Sequence, residues 1–175
     1  MKKKTLALVL ALTLLVAGVV GGTLAWLTDQ TAEVKSTFTV GDINIGLTET
    51  TADYKMVPGN TIAKDPTVTV KANSEACWLF VQVTESTNLK DFITYAIAEG
   101  WTELEAGVYY REVPASAADQ TFSVLAGDAV TVKSDVTRTM LETAKTDAPT
   151  LTFQAYAIQK DHFATADAAW AEVSK

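Results

Sequence analysis

Histidine, cysteine and arginine are almost absent from this 175-residue sequence, and each scarcity excludes a class of chemistry. His162 is the only histidine, so the paired histidines of a zinc peptidase cannot be assembled. Cys77 is the only cysteine and has no partner for an internal disulfide. Arg111 and Arg138 are the only arginines, and beyond Lys4 the lysines are scattered singly, which argues against nucleic acid as a partner. We therefore predict no catalytic residue, no metal ligand set and no cofactor.

The single histidine and the single cysteine both have structural interpretations. His162 follows Asp161 in an apparent polar turn after a strand, and no serine lies on a nucleophile elbow, so we favour a solvated loop histidine over a catalytic one. Cys77 alternates with Leu79 and Val81 along an apolar strand. This pattern favours a packed thiol over a reactive one.

Acidic residues outnumber basic residues by 21 to 14, and two acidic pairs are candidate cation ligands. Asp29 with Glu33 forms one pair, and Glu103 with Glu105 forms the other. A hard cation needs six or more converging oxygens, so we favour solvated carboxylates at both places.

Three aromatic residues near the middle of the chain are candidates for stacking on a sugar ring. They are Trp101, Tyr109 and Tyr110. A role in the core or in cross-strand pairs is favoured for them, because aromatic side chains are the largest contributors to such pairs.

The N-terminus has the three regions of an export signal. A positive region at Lys2–Lys4 is followed by a nearly uninterrupted apolar run, Leu6–Val20. Small residues at Gly21–Ala25 then supply what a signal peptidase recognises. The sequence therefore predicts that the protein is exported.

We expect residues 1–25 to be removed by a cut between Ala25 and Trp26. The alternative is a retained anchor, because residues 5–27 are long enough to span a bilayer of about 30 Å. Cleavage removes three lysines and no acidic residue, so the net charge changes from −7 to −10. The remaining residues 26–175 are predicted to form one domain.

The first segment of the mature chain, residues 26–36, is a candidate donor strand, a strand that one copy adds to the sheet of another. Charged residues are confined to its odd positions, at Asp29, Glu33 and Lys35. The segment thus has one face for protein and one for water. Its candidate contact residues are Trp26, Leu27, Thr28, Gln30, Ala32 and Val34.

Period-two alternation dominates the rest of the chain and predicts a mostly β domain of about nine strands. Past a bulge at Gly41–Asp42, the apolar set becomes Ile43, Ile45 and Leu47. A turn is predicted at Pro58–Gly59. The later strands are predicted at residues 67–71, 76–83, 93–97, 108–113, 121–125, 129–133 and 151–158. Their spacing is typical of an antiparallel sandwich or a jelly roll.

Residues 76–83 are apolar on both faces, which predicts a central strand that is covered on both sides. Two short helices are also predicted. Residues 135–145 have apolar residues at near-helical spacing and are followed by Pro149. Thr165 is a candidate cap for a second helix at residues 166–173, with Trp170 packing on the domain.

Several segments, in the same order along the chain, resemble the TasA/camelysin (CalY) family. The similar segments are Gly22–Asp29, Phe38–Ile45, Val57–Gly59, Lys64–Val70, Trp78–Val83 and Leu151–Gln159. Precursors of this family are processed by the SipW type of signal peptidase. The resemblance spans nearly the whole chain.

The resemblance implies a jelly-roll domain, secreted by a Gram-positive bacterium, that assembles into fibres of the biofilm matrix. In the family, the N-terminal segment of one subunit completes the sheet of the next, so self-association and other matrix proteins are the implied partners. Residues 26–34 have the uncharged face that such a contact needs.

Three alternatives remain open from the sequence. The segment 26–36 could instead fold back as the first strand of its own monomer. The camelysin name implies a cell-surface metallopeptidase, although the sequence has no zinc ligand motif. A surface adhesin or glycan-binding module would need exposed, coplanar aromatic residues.

Overall fold

The structure, a computed structural model, describes residues 42–50 and 54–175. Every strand pairing within these ranges is antiparallel, and the domain is mostly β, which confirms the predicted sandwich class. The signal 1–25, the cleavage pair Ala25 and Trp26, the candidate donor strand 26–36 and the pair Asp29 and Glu33 lie outside the described residues. Those predictions stay predictions.

The described ranges contain ten strands, three α-helices and two short 3-10 helices. The strands are β1 (Ile45–Thr48), β2 (Thr61–Ala63), β3 (Thr67–Val70), β4 (Cys77–Glu85), β5 (Ile93–Thr94), β6 (Thr102–Glu105), β7 (Val108–Val113), β8 (Gln120–Ser123), β9 (Ala129–Val132) and β10 (Leu151–Gln159). The α-helices are α1 (Leu89–Phe92), α2 (Arg138–Thr143) and α3 (Ala166–Val173), and the 3-10 helices are Ala126–Asp128 and Lys160–His162. No helix in these ranges has the length and apolar character to cross a membrane.

One layer of the sandwich is a bent sheet made of two three-stranded parts, ordered β1-β3-β8 and β2-β9-β5. The bend lies where β2 passes into β3, at Lys64–Pro66, because Pro66 has no N–H to continue a ladder. Hydrogen bonds continue the ladder up to the bend on both sides, between β2 and β9 and between β3 and β8. Lys64 N–H donates to the carbonyl of Asp128 at 2.8 Å, and Val124 N–H donates to that of Pro66 at 2.9 Å.

The other layer is a four-stranded sheet with the order β10-β4-β7-β6. The connections from β3 to β4, from β7 to β8 and from β9 to β10 each cross from one layer to the other. Strands that follow one another in sequence therefore often lie in different layers, as they do in a jelly roll.

Strand β4 is buried on both faces, as the sequence predicts. Its odd side chains, including Leu79 and Val81, are fully buried against Val68 and the rest of the bent sheet. On its even face, Phe80 packs under α3, with 5.3 Å between its ring centroid and that of Trp170. One strand thus belongs to two hydrophobic clusters.

The C-terminal helix α3 has the predicted limits and cap. The hydroxyl of Thr165 accepts a hydrogen bond from Ala168 N–H at 3.3 Å. The side chain of Trp170 is buried against the four-stranded sheet, as expected.

Helix α2 is shorter than the predicted helix at residues 135–145. Thr137 caps the helix by accepting a hydrogen bond from Met140 N–H at 3.3 Å, and the helix begins at Arg138, three residues later than expected. Val136 and Ala144 lie just outside the helix yet are buried in a third cluster with Phe92. The apolar spacing correctly predicted which side chains are buried, but it did not predict where the helix begins and ends.

Other sequence predictions need correction in length or number. The strand predicted at 93–97 is reduced to β5 and a single bridge between Ile97 and Leu125. A third helix, α1, is one turn long, which is too short for a helical period to be detected. Strands β2 and β6 were not predicted, because β2 has only three residues and β6 has only one apolar residue, so neither shows a clear alternation of apolar side chains. The turn at Pro58–Gly59 is confirmed, with φ of +80° at Gly59.

Replacing Leu79 tests the central position of β4. Because Leu79 is fully buried between the layers, Leu79→Ala should lower the free energy of unfolding by about 2–5 kcal/mol in urea titrations. Leu47→Ala is the matched control, since Leu47 is 36% exposed, and it should cost less than about 1 kcal/mol. Equal losses in the two variants would contradict the arrangement of the core.

Candidate functional site

Strand β10 ends the four-stranded sheet, and its outer edge is open in the sense that no strand of the described residues pairs with it. Nine consecutive residue pairs join it to β4, from Leu151 opposite Glu85 to Gln159 opposite Cys77. No other described strand forms a ladder with β10. The sequence of β10, LTFQAYAIQ, contains no charged residue and no proline. Charge and proline are the usual devices by which proteins protect an edge from pairing, and neither is present here.

The backbone groups on this open edge belong to the odd-numbered residues of β10. Ser86 N–H donates to the carbonyl of Thr150 at 2.9 Å, and Lys160 N–H donates to that of Ala76 at 2.9 Å. Hydrogen-bonded pairs alternate along an antiparallel ladder, so the even residues between these points also face β4. The N–H and C=O groups that point outward are those of Leu151, Phe153, Ala155, Ala157 and Gln159.

The same residues place apolar side chains against the sandwich core. Leu151, Phe153, Ala155 and Ala157 all pack on the cluster between the two layers. An added strand would therefore gain backbone hydrogen bonds and would also extend an apolar face.

A groove runs between β10 and β1, which lies beside it without a hydrogen-bonded ladder. The groove has a volume of about 290 Å³ and is lined by Leu47, Glu49, Pro66, Leu151, Thr152 and Phe153. Leu47 was predicted to belong to the same apolar set as Ile43 and Ile45, which pack on the core. Instead it is 36% exposed, because its side chain lines this groove and does not enter the core. An apolar groove beside an open strand edge suits an added strand.

An ion pair between a buried lysine and a more exposed glutamate fixes one end of the groove. Lys64 is only 7% exposed, and its Nζ lies 2.5 Å from Oε1 of Glu49. The ammonium group also lies 5.4 Å from the ring centroid of Phe153. Tyr54 donates its hydroxyl hydrogen to the same Glu49 oxygen at 2.7 Å. Burial, and then the hydrogen bond to Glu49, raises the pKa of Tyr54 above its usual value.

A second polar contact fixes the chain just after β1. The carboxylate of Asp65 accepts hydrogen bonds from the hydroxyl of Thr50 and, at 2.9 Å, from Thr50 N–H. These bonds hold the pKa of Asp65 below its usual value. The contact contributes stability above the ordinary carboxyl pKa, and that contribution is lost as the pH falls through the lowered pKa.

The opposite edge of the four-stranded sheet, β6, is charged. Glu103 and Glu105 are exposed on it, and Glu105 accepts a hydrogen bond from the Trp170 indole at 2.7 Å. Within the described residues, no three His, Cys, Asp or Glu side chains are grouped so that they could hold a metal ion.

The candidate sugar-stacking residues do not share one exposed platform. Tyr109 packs on the cluster between the layers, whereas Tyr110 packs on the α3 side of the sheet, 5.9 Å from Trp78. Trp101 is half-buried and donates its indole N–H to the carbonyl of Ser123 at 2.9 Å. All three have the packing roles that the sequence favours.

The single histidine and cysteine occupy the environments expected of them. His162 is exposed at the end of the 3-10 helix after β10. Cys77 is fully buried, and burial raises the pKa of its thiol to about 11.

A scan against protein-family models, a search of curated proteins and a search of solved structures each found no match.

Sequence reasoning identified β10 as a strand but missed its role as the open edge. The signal was present, because β10 has nine residues without charge or proline, whereas β6 carries two glutamates in four residues. Which strand ends a sheet depends on long-range pairing, which a strand pattern alone does not give.

Removal of the Glu49 carboxylate tests the ion pair at the end of the groove. Glu49→Gln leaves the Lys64 ammonium without its anionic partner and should lower the free energy of unfolding by about 2 kcal/mol at pH 7 in urea titrations. The control is Glu142→Gln, which removes an exposed pair with Lys145 and should cost less than about 0.5 kcal/mol. A Glu49→Gln effect no larger than the control would contradict this role.

Proposed function

We propose that this protein is a secreted structural subunit that assembles into extracellular fibres, in which residues 26–36 of one copy pair with the open edge of β10 in the next. The signal 1–25 is removed first, by a peptidase of the SipW type. The fibres belong to the matrix or cell surface of a Gram-positive bacterium, where other matrix proteins are further partners.

The observation that supports this function most strongly is the open edge of β10. Five of its nine residues point their backbone N–H and C=O groups outward, and none of the nine is charged. A long, uncharged edge invites pairing with another chain, so exposed edges of this kind are usually short, charged or covered. Its presence on an acidic, exported protein is accounted for if it serves as a binding site.

The candidate donor strand matches this edge in length and in patterning. Its uncharged positions recur at every second residue, from Trp26 to Val34, while Asp29 and Glu33 occupy the other face. An added strand of this kind would place uncharged side chains against the groove beside Leu47 and charged ones in water.

The donor strand and the β10 edge are different segments of the chain, so the contact is heterologous. Such a contact between identical copies does not close unless the rotation between them happens to form a ring. Repetition therefore produces a filament. The membrane-tethered signal keeps the donor strand from inserting, so cleavage between Ala25 and Trp26 starts assembly.

Two variants separate the donor from the acceptor. Deletion of residues 26–33 removes the donor but leaves the β10 edge. Ala155→Pro removes one outward N–H of that edge without touching the β4 ladder, a position where proline is tolerated. Neither variant alone should form fibres in electron micrographs, and an equimolar mixture should give a one-to-one dimer by size-exclusion chromatography with light scattering.

The control is Ala117→Pro, which makes the same substitution in an exposed loop and should leave fibre formation unchanged. Fibres from either variant alone would contradict the proposed contact. A strictly monomeric mixture would instead support the alternative that residues 26–36 pair within their own subunit.

A further inference from the structure

Arg111 lies on the inner face of the four-stranded sheet, at a position usually taken by an apolar side chain. It is directly opposite Leu79, which is fully buried between the layers. Arg111 itself is half-buried, and burial lowers the pKa of its guanidinium. A charged residue in this place normally has an acidic partner.

Two aromatic rings hold the guanidinium in place. Its central carbon lies 3.9 Å from the ring centroid of Phe122 and 5.4 Å from that of Trp101. Trp101 is fixed in turn by its hydrogen bond to the carbonyl of Ser123. Arginine stacks on aromatic faces in this way while its planar set of N–H donors stays available at the edge.

No acceptor for these donors is present in the described part of the chain. Nε of Arg111 is buried without a hydrogen-bond partner there, and no ion pair joins Arg111 to a carboxylate of residues 42–50 or 54–175. Arg138, the only other arginine, is exposed on α2. Arg111 is therefore a positioned cation whose donors the described residues leave unused.

Gly100 keeps the tip of Arg111 close to the surface. This glycine is exposed, has φ of +84°, and has no side chain to interfere with the guanidinium. A Cβ at this position would lie 3.1 Å from Nη2 of Arg111. The amino groups thus lie beside an exposed turn, at the side of the sandwich formed by β6 and β7, with Phe122 beneath them.

The chemistry of this place fits a singly charged, planar acceptor. A carboxylate matches the spacing of two guanidinium N–H donors and forms two parallel hydrogen bonds. A phosphate carries more charge and is usually bound by several cations, whereas this chain has a net charge of −7, which repels multiply charged anions.

We propose that Arg111, held between Phe122 and Trp101, is a binding site for a carboxylate group. The site is separate from the β10 edge, since β4 lies between β10 and β7, the strand that carries Arg111. The proposed carboxylate site does not depend on fibre formation.

The test is a titration of the mature protein with acetate, followed by ¹⁵N–¹H NMR of the side-chain N–H groups. The chain has only two arginines, so its two Nε–H signals can be assigned with Arg138→Lys. At constant ionic strength, set with chloride, acetate should shift the Nε–H of Arg111 and the indole N–H of Trp101 saturably, and leave the Nε–H of Arg138 in place. Arg111→Lys should weaken acetate binding, read at Trp101, by about tenfold or more.

The matched control, Arg138→Lys, should titrate as the wild type does. Phosphate forms a second arm, and saturation by phosphate at lower concentration than by acetate would overturn the carboxylate assignment. The proposal would also fail if acetate shifted both arginines equally, or neither. If Arg111→Lys does not fold by circular dichroism, the wild-type titration of the Arg111 Nε–H decides alone.

Discussion

The burial of β4 on both faces is the constraint on which the rest of this structure depends. Its odd side chains, such as Leu79 and Val81, fill the space between the layers, and its even side chains, such as Phe80, support α3. Its two edges are occupied by β7 and β10. β4 is therefore an inner strand, and among the described strands β10 is the one that ends the sheet next to it.

The two edge strands of the four-stranded sheet, β6 and β10, differ in length and charge. The β6 end is short and carries two glutamates, whereas β10 is long and uncharged and has an apolar groove beside it. The pair formed by Lys64 and Glu49 fixes the end of that groove, because a buried ammonium must keep its anionic partner. Strand addition, as we propose it, would use one side of the sandwich and leave the Arg111 side free.

Local patterns in the sequence predicted the parts of the fold that depend on local chemistry. Alternation gave β4, β7 and β10 almost to the residue, and Thr165 marked the start of α3. Features set by distant contacts were not predictable in this way. The groove position of Leu47 depends on β1 lying beside β10, and the inward position of Arg111 depends on its pairing with Leu79. Neither partner is close in sequence.

Amide hydrogen exchange along β10, compared between monomer and fibre, tests the central claim most directly. Even-numbered residues, such as Gln154 and Tyr156, already donate to β4 and should be protected in both states. Odd-numbered residues, such as Phe153 and Ala155, should exchange quickly in the monomer and become protected in the fibre. Fibres in which the odd-numbered amides of β10 still exchange as quickly as in the monomer would contradict assembly through this edge.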